Sequence, residues 1–487
     1  MRAASFFWHD YETTGTDPRR DRPAQFAGQR TTLDLEPVDD PVSLYCRPAP
    51  DVLPIPQACL ITGITPQIAE REGVIEAEFA AQMHEQLAAP GTCGVGYNSI
   101  RFDDEFTRNL LYRNFYDPYE REWKDGNSRW DIIDLARMCY ALRPAGIEWP
   151  LRDDGMPSFR LQDLAVANHL THTHAHDALS DVQATIALAR LLKRTQPRLW
   201  DFHLGLRRKA EAFRYLDYVH RTPVLHVSVR FPAERGCLAM VVPLALHPQQ
   251  PNKVIVYDLD ADPAPLLELA AEEIADRVFT PRADLPENIA RIPLKAVAAN
   301  KSPALAPLSV LKGVNVQRIH LDVARCETHL ERLRSAPNLA DKLRAVFATQ
   351  DGVAAATDPE LAIYDGFASD VDKRLFNEVR RTPPAQLGTR NFGFRDARFT
   401  ELLFRYRARN FPATLSAGER TRWDDFRRTR LTQSTPLTIL TLDQYLAEIA
   451  TLRAEPAMTG AQQIVLDQLE AWDHKITNEI ADTASAP

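Results

Sequence analysis

The stretch FFWHDYE at residues 6–12 constrains the fold most, because it joins an apolar run to two acidic residues. Three large apolar residues in a row are typical of a β-strand that enters a hydrophobic core. Side chains alternate along a strand, so Asp10 and Glu12 project from the same face and can reach one point in space. Two adjacent carboxylates repel each other and are costly to bury without a cation. The stretch therefore predicts either a core strand with a cation site or an acidic strand end at the surface.

Strand-like and helix-like segments alternate along the first 197 residues. Candidate strands are SFFWHDY, PVSLYCRP and GTCGVGYNSI, and one amphipathic helix carries Phe79, Met83 and Leu87 at a four-residue spacing. A long helical pattern, HDALSDVQATIALARLLKR, ends just before Pro197. This alternation predicts an α/β domain with a mixed sheet over residues 1–197.

The 487-residue length predicts about three domains in all. Three short β-rich runs, TPVLHVSVRF, CLAMVVPLAL and NKVIVYDL, predict a small β-barrel or sheet within residues 198–350. A turn-rich linker at 349–361 leads to helical patterns, so residues 351–487 are expected to form a helical C-terminal domain.

Composition and terminal sequence argue against a membrane or secreted protein. No stretch approaches the ~18 apolar residues of a membrane span, and an acidic residue already follows at position 10. Six cysteines without a CxxC pair favour neither a disulfide framework nor a zinc module. We therefore expect a cytoplasmic protein with no membrane partner.

Charge along the chain keeps nucleic acid among the candidate partners. A net charge of −8 would normally lower that expectation. Between Arg374 and Arg430, however, 14 Arg stand against 6 Asp or Glu. Since the screening length is about 8–10 Å, a phosphate backbone responds to such a local surface more than to distant negative charge.

Two further acidic positions strengthen the cation interpretation of the first strand. Asp103, in GYNSIRFDDEF, is expected near the start of a helix, where acids also suit the helix dipole. His176 and Asp181, in HAHDALSD, can share a site if the histidine precedes the helix and the aspartate lies one turn inside. An apolar stripe next to Asp181 directs its side chain inward, where a buried acid needs a partner.

The tract HLTHTHAHD holds four His within eight residues, and zinc is the competing interpretation. No cysteine lies nearby, and only His176 has the spacing to Asp181 described above. Zinc is therefore not favoured, and the other histidines are expected to face solvent.

These three motifs together resemble those of the DEDD exonuclease family, in its histidine-containing branch. Longer stretches are similar to the bacterial exodeoxyribonuclease I family, namely HDYETTGTDPRRDRPAQFAGQRT, LITGITPQ, GYNSIRFDDEFTRNLLYRNFYDPY, PSFRLQDLAVANHL, AHDALSDVQATIALARLLK and YRARNFP. The resemblance implies a ribonuclease-H-like exonuclease domain, an SH3-like β-barrel domain and a helical C-terminal domain. It also implies that Asp10, Glu12, Asp103 and Asp181 hold two Mg²⁺ ions, which Mn²⁺ can replace, and that His176 is the general base.

The activity implied by the resemblance is 3′→5′ exonuclease cleavage of single-stranded DNA to 5′-mononucleotides, in DNA repair and recombination, by two-metal-ion hydrolysis. Two alternatives stay open at this point. One is the same chemistry on RNA, and the other is a non-catalytic clamp on single-stranded DNA. A monomer is expected, since a clamp made within one chain needs no second copy.

Cations and flat side chains, which single-stranded DNA requires for its phosphates and bases, are interleaved after Asp103. The resemblance implies that the DNA path is lined by Arg108, Tyr119, Trp123, Arg137, Phe159 and Arg160. Glu12 would also meet the terminal 3′-hydroxyl. Family members bind the acidic C-terminal tail of single-stranded-DNA-binding protein, and the arginine excess in this chain is compatible with that partner.

Overall fold

A computed structural model describes residues 4–170, 177–348 and 356–485, with side chains up to residue 481. The strands in these residues are β1 (Ser5–Thr13), β2 (Pro23–Thr31), β3 (Val42–Tyr45), β4 (Thr92–Gly96), β5 (Ser128–Asp131), β6 (Val224–Val227), β7 (Leu238–Leu246), β8 (Lys253–Asp258), β9 (Leu294–Ala298) and β10 (Ala304–Pro307).

The helices are α1 (Pro56–Thr62), α2 (Pro66–Glu72), α3 (Glu76–Ala88), α4 (Asp103–Arg113), α5 (Ile132–Leu142), α6 (Leu161–Ala167), α7 (Ala178–Thr195), α8 (Pro197–Gly205), α9 (Lys209–Tyr215), α10 (Ala264–Glu268), α11 (Ala271–Phe279), α12 (Val323–Arg334), α13 (Leu339–Ala348), α14 (Asp370–Arg381), α15 (Arg398–Asn410), α16 (Ala417–Thr432), α17 (Leu442–Arg453) and α18 (Gly460–Ser485). Within the part of the chain that the structure describes, every helix is too short or too polar to span a bilayer.

The chain forms two compact units. The first contains Met1–Asn127, Thr173–Gln183 and Ala354–Pro487, so the C-terminal segment packs together with the N-terminal one. The second contains Ser128–His172 and Ala184–Val353.

The sheet of the first unit is mixed, as the sequence predicts for an α/β fold. Its strands in this unit have the order β3-β2-β1-β4. Strand β1 pairs antiparallel with β2 and parallel with β4, and β2 pairs antiparallel with β3. A parallel pair requires a crossover, and the segment between β1 and β4 contains helices α1 to α3. Strand β1 lies between β2 and β4 in the sheet, and its large apolar residues are therefore buried.

The two faces of β1 have different roles. Phe7 and Tyr11 pack in one core with Phe79 and Met83 of α3 and with Leu110 of α4. The amphipathic spacing of α3 therefore covers one face of the sheet. Because side chains alternate along a strand, the even-numbered residues, including both acids, point to the opposite face.

The second unit contains an antiparallel sheet of the order β10-β6-β7-β8-β9. Its central strand β7 is buried along almost its whole length and contributes to two hydrophobic cores. The three predicted runs correspond to β6, β7 and β8. Strands β9 and β10 were not predicted, because LKAVA and ALAP are short and rich in alanine, which has a low preference for strands.

Part of the arginine excess near the C-terminus is internal to the first unit. Each of the following arginine side chains is at most 9% exposed and forms an ion pair with a carboxylate: Arg405, Arg407, Arg409, Arg427 and Arg430. These five buried guanidinium groups are therefore paired with carboxylates inside the unit and do not present their charge to a phosphate backbone. The basic surface that the sequence suggests is correspondingly smaller.

A buried histidine in the second unit gives a pH prediction. His203 on α8 is fully buried, and its Nδ1 accepts a hydrogen bond from the indole Nε1 of Trp130 at 2.8 Å. Burial lowers the pKa of His203 to about 4. Since the unfolded histidine has a pKa near 6.5, the unfolded state takes up a proton first as the pH falls. Stability from this group is complete above pH 6.5 and is lost toward pH 4.

At pH 5 the linkage amounts to about 2 kcal/mol of unfolding free energy relative to pH 7. We expect His203→Gln, which keeps an acceptor for the indole, to show a smaller loss of stability between pH 7 and pH 5 than the unmodified chain. Chemical denaturation at both pH values measures the difference. An equal loss in both proteins would mean that His203 is not kept neutral by burial.

Candidate active site

Three carboxylates from two elements meet on the acidic face of β1. Asp10 and Glu12 belong to β1, and Asp181 lies in the first turn of α7. One carboxylate oxygen from each lies within 4.8 Å of one from each of the other two. Within the described residues, no other three Asp, Glu, His or Cys side chains come together in this way. The period-two prediction for Asp10 and Glu12 and the inward prediction for Asp181 agree with this geometry.

Asp103 lies next to the two strand acids through a contact with the backbone of β1. It is the first residue of α4 and is 2% exposed. Its Oδ1 accepts a hydrogen bond from the backbone N–H of Tyr11, the residue between the two strand acids, at 3.1 Å. The structure therefore brings together the four acids that the sequence analysis selected.

Burial and the charges of neighbouring acids both raise the pKa values of the two strand acids. Burial, followed by the charges of Asp103, Glu12 and Asp181, raises the pKa of Asp10 well above its ordinary value. Burial, followed by the charges of Asp181, Asp103 and Asp177, raises the pKa of Glu12 to about 8. A cluster of oxygen donors that resists ionisation is stabilised by a hard divalent cation. The donor set fits Mg²⁺ or Mn²⁺, which prefer carboxylate oxygen.

His176 lies outside the described residues, so its predicted role stays a prediction. The next residue, Asp177, is described and was not singled out by the sequence analysis. Its Oδ1 accepts a hydrogen bond from the backbone N–H of Ser180 at 3.0 Å, which caps the start of α7. The signal in the sequence was an Asp immediately before a helical pattern.

Of the residues predicted to line a DNA path, three lie in the first unit. The guanidinium of Arg108 is buried and binds Glu122 at 2.7 and 3.0 Å and Glu105 at 2.9 Å. It also lies over the ring of Tyr119, at 5.3 Å from the centroid. Arg108 thus shares its charge with two glutamates and supports an aromatic ring. Trp123 is 64% exposed, and this exposure is compatible with base stacking.

The other three predicted residues lie in the second unit. Arg137 is buried, binds Asp134 at 2.6 Å and lies over the ring of Phe159 at 5.6 Å from the centroid. Arg160 is exposed and lies immediately before the first residue of α6. Among these three residues, Arg160 presents the most accessible charge.

Comparison with family models finds three consecutive matches. An exonuclease model matches residues 7–189, an exonuclease I SH3-like domain matches residues 207–349, and an exonuclease I C-terminal domain matches residues 357–476. Exodeoxyribonuclease I of Escherichia coli (strain K12) is 46% identical over 425 residues, which covers 87% of this chain and 89% of that protein.

Solved structures agree with these matches. A moderately thermophilic exonuclease I from Methylocaldum szegediense superposes with a TM-score of 0.94 at 51% identity, covering 97% of this chain and 100% of the other. Exonuclease I of E. coli in complex with a dA16 oligonucleotide superposes with a TM-score of 0.93 at 44% identity, again over 97% and 100%.

Two further structures concern a metal and a partner. One is a zinc-bound form of an E. coli ExoI complex with single-stranded DNA, with a TM-score of 0.92 at 43% identity over 98% of this chain and 100% of the other. The other is SSB/exonuclease I with the inhibitor CFAM, with a TM-score of 0.89 at 42% identity over the same shares.

The motif resemblance and the predicted fold are confirmed by these matches, which extend through all three family models and nearly the whole chain. The four acids lie within the region of the exonuclease model. The chain therefore belongs to the exodeoxyribonuclease I family.

Proposed function

We propose that the chain degrades single-stranded DNA from the 3′ end to 5′-mononucleotides, with Mg²⁺ bound by its four clustered acids. The observation that carries this proposal is the approach of Asp10, Glu12 and Asp181 to within 4.8 Å, with Asp103 of α4 bonded to the backbone between the two strand acids. Family membership supports an exodeoxyribonuclease, and relatives have been solved with single-stranded oligonucleotides. Four acids held together against their repulsion favour catalysis over a purely binding role.

The clustered acids are assigned to binding of the divalent ions and of the substrate end. Asp10, Glu12, Asp103 and Asp181 would hold two divalent ions, and the raised pKa values of Asp10 and Glu12 support this assignment. When bound, the ions supply Lewis-acid stabilisation of the charge that develops on the scissile phosphate. Glu12 is also assigned to the terminal 3′-hydroxyl.

The proton of the attacking water is assigned to His176, because the ordinary pKa of histidine lies near neutrality. Water attack at the terminal phosphodiester breaks the bond to the 3′-oxygen of the preceding nucleotide. That oxygen leaves and takes up a proton, so each cycle releases one 5′-mononucleotide.

The remaining assignments follow from family membership. We assign the exonuclease domain to residues 1–197, the SH3-like domain to 198–350 and the helical C-terminal domain to 351–487, a division that the three matched ranges support. Single-stranded DNA and the acidic tail of SSB are the proposed partners; relatives solved with a dA16 oligonucleotide and with SSB support the two partners. A cytoplasmic monomer in DNA repair and recombination completes the proposal.

The test uses a single-stranded DNA oligonucleotide labelled at its 5′ end, with Mg²⁺ or with EDTA, beside an RNA of the same sequence. We expect a ladder that shortens from the 3′ end of DNA with Mg²⁺ and no product with EDTA. Faster loss of RNA would change the substrate. DNA that shifts on a native gel but stays intact would identify a binding clamp and overturn the catalytic proposal.

A further inference from the structure

One buried glutamine shares the acidic face of the sheet. Gln25 lies on β2 directly opposite Glu12 in the antiparallel pair and is 2% exposed. Opposite residues of a strand pair carry their side chains on the same face, with Cβ atoms about 4.5–5.5 Å apart. The Gln25 amide therefore lies beside the carboxylate cluster. The four acids are the assigned cation ligands, so Gln25 has no assigned role in binding the cation.

The Gln25 amide connects the sheet to the start of α7. Its Oε1 accepts a hydrogen bond from the backbone N–H of Ala178 at 3.4 Å, and its Nε2 donates to the carboxylate of Asp177 at 3.5 Å. The same Nε2 donates to Ser43 on β3 at 3.2 Å. One side chain of β2 thus contacts β3 and the start of α7.

The helix start in turn determines where Asp181 lies. The backbone N–H of Asp181 donates to the carbonyl of Asp177 at 3.0 Å, so the two residues belong to one rigid turn. Asp177 uses Oδ1 to cap Ser180, and Gln25 contacts its Oδ2. A displacement of this turn from β2 would carry the Asp181 carboxylate away from the other two acids.

We propose that Gln25 is a positioning residue that holds the first turn of α7 against β2 and so keeps Asp181 beside Asp10 and Glu12. This inference rests on the proposed function of the four acids as cation ligands. Partners that orient metal ligands without binding the metal typically contribute about 10- to 100-fold to metal affinity or activity. Gln25 therefore acts on the centre through Asp177 and Ala178.

The test compares Gln25→Ala and Gln25→Glu with Gln29→Ala. Gln29 is a matched control because it lies on the same face of β2, is also buried, and donates to the carbonyls of Arg30 and Asp39 instead of contacting α7. Mn²⁺ alone is the probe, and electron paramagnetic resonance measures its binding in the absence of DNA. The melting temperature without metal, kcat and KM are measured on the same proteins.

We expect Gln25→Ala to bind Mn²⁺ at least about tenfold more weakly than the unmodified chain and to lower kcat with little change in KM. Gln25→Glu should lose more, because a carboxylate cannot donate to Asp177 and repels it. Gln29→Ala should keep Mn²⁺ affinity and kcat, whatever its effect on the melting temperature.

Two results would overturn the inference. One is unchanged Mn²⁺ affinity and kcat in Gln25→Ala, and the other is an equal loss in Gln29→Ala, which would report general weakening of the strand. Failure of the proposed function is distinguishable, because the unmodified chain would then neither bind Mn²⁺ nor degrade DNA.

Discussion

Asp181→Ala is expected to reduce cleavage of single-stranded DNA by at least about a thousandfold, which corresponds to about 4 kcal/mol of transition-state stabilisation. Its carboxylate is the only one of the three mutually close groups that comes from a helix, the other two being on β1. Its removal leaves Asp10 and Glu12 with one ligand fewer for the divalent ions. Several kcal/mol is the usual contribution of such ions to the stabilisation of charge on a phosphoryl group.

Binding of DNA should change little, because Asp181 is not among the predicted contacts to the substrate, most of which are made by aromatic and cationic side chains elsewhere. Fluorescence anisotropy of a labelled oligonucleotide in the presence of EDTA measures affinity without cleavage, and a single-turnover assay with Mg²⁺ measures the chemical step. We expect Kd to stay within a few-fold of that of the unmodified chain.

A matched control is available in the second unit. Asp341 also lies in the first turn of a helix, α13, but its side chain is 76% exposed and pairs with Arg344. Asp341→Ala should retain full cleavage. If Asp181→Ala cleaved DNA as fast as Asp341→Ala, the four acids would not be the catalytic centre.

Local rules account for part of the site, and tertiary contacts account for the rest. The two-residue period of β1 is enough to place Asp10 and Glu12 on one face, since it holds for any strand. The apolar stripe of its helix predicts that Asp181 points inward, but the meeting of Asp103 and Asp181 with the strand acids required the resemblance, because no local rule says that the starts of α4 and α7 meet at β1. Gln25 was missed altogether: its contact with Asp177 joins residues 152 positions apart, and nothing in a strand sequence signals it.

The partners of charged side chains could not be predicted from the sequence either. Arg108 is predicted to line the DNA path, and its charge is also shared with Glu105 and Glu122; the sequence does not indicate which acid an arginine will select. The C-terminal arginines were expected at a surface. Asp51 and Glu360, which pair with several of them, lie in other parts of the chain, so the arginine-rich stretch viewed alone carries an unbalanced charge.

Glu360→Ala is expected to destabilise the first unit by about 3–5 kcal/mol, the usual effect of removing one partner from a buried ion pair. The Glu360 side chain is fully buried. One oxygen accepts from Arg405 at 3.0 Å and from Arg409 at 2.6 Å, and the other accepts from Arg22 at 3.0 Å. Burial alone would raise the pKa of Glu360, but the surrounding guanidinium groups, Arg409 foremost, hold it well below its ordinary value. The carboxylate is therefore charged in the folded protein.

The cost arises mainly on the arginine side. Arg22 and Arg409 are at most 5% exposed, so loss of the carboxylate leaves guanidinium charge in the interior with fewer acceptors. Asp51 still binds Arg409 and Arg430, and it cannot reach every donor that Glu360 served. Glu360→Gln keeps the shape and removes the charge, and we expect it to be destabilised as well.

A solvent-exposed ion pair provides the comparison. Arg453 binds Asp467 at 2.7 Å and Glu470 at 3.0 Å, and its side chain is 38% exposed. Arg453→Ala should cost less than about 1 kcal/mol, because water replaces the lost partner. Urea denaturation of all three variants at pH 7 measures the difference, with limited proteolysis to locate the loss in the first unit.

Equal stability of Glu360→Ala and Arg453→Ala would show that the buried arginines find water or other acceptors when Glu360 is removed. The expected difference has a further consequence for the architecture. Glu360 binds Arg22, next to β2, and also two arginines of α15, so it joins the strand that carries Gln25 to the C-terminal helices. A strong effect of Glu360→Ala on stability would mean that the sheet bearing the four acids depends on the C-terminal segment for its folded state.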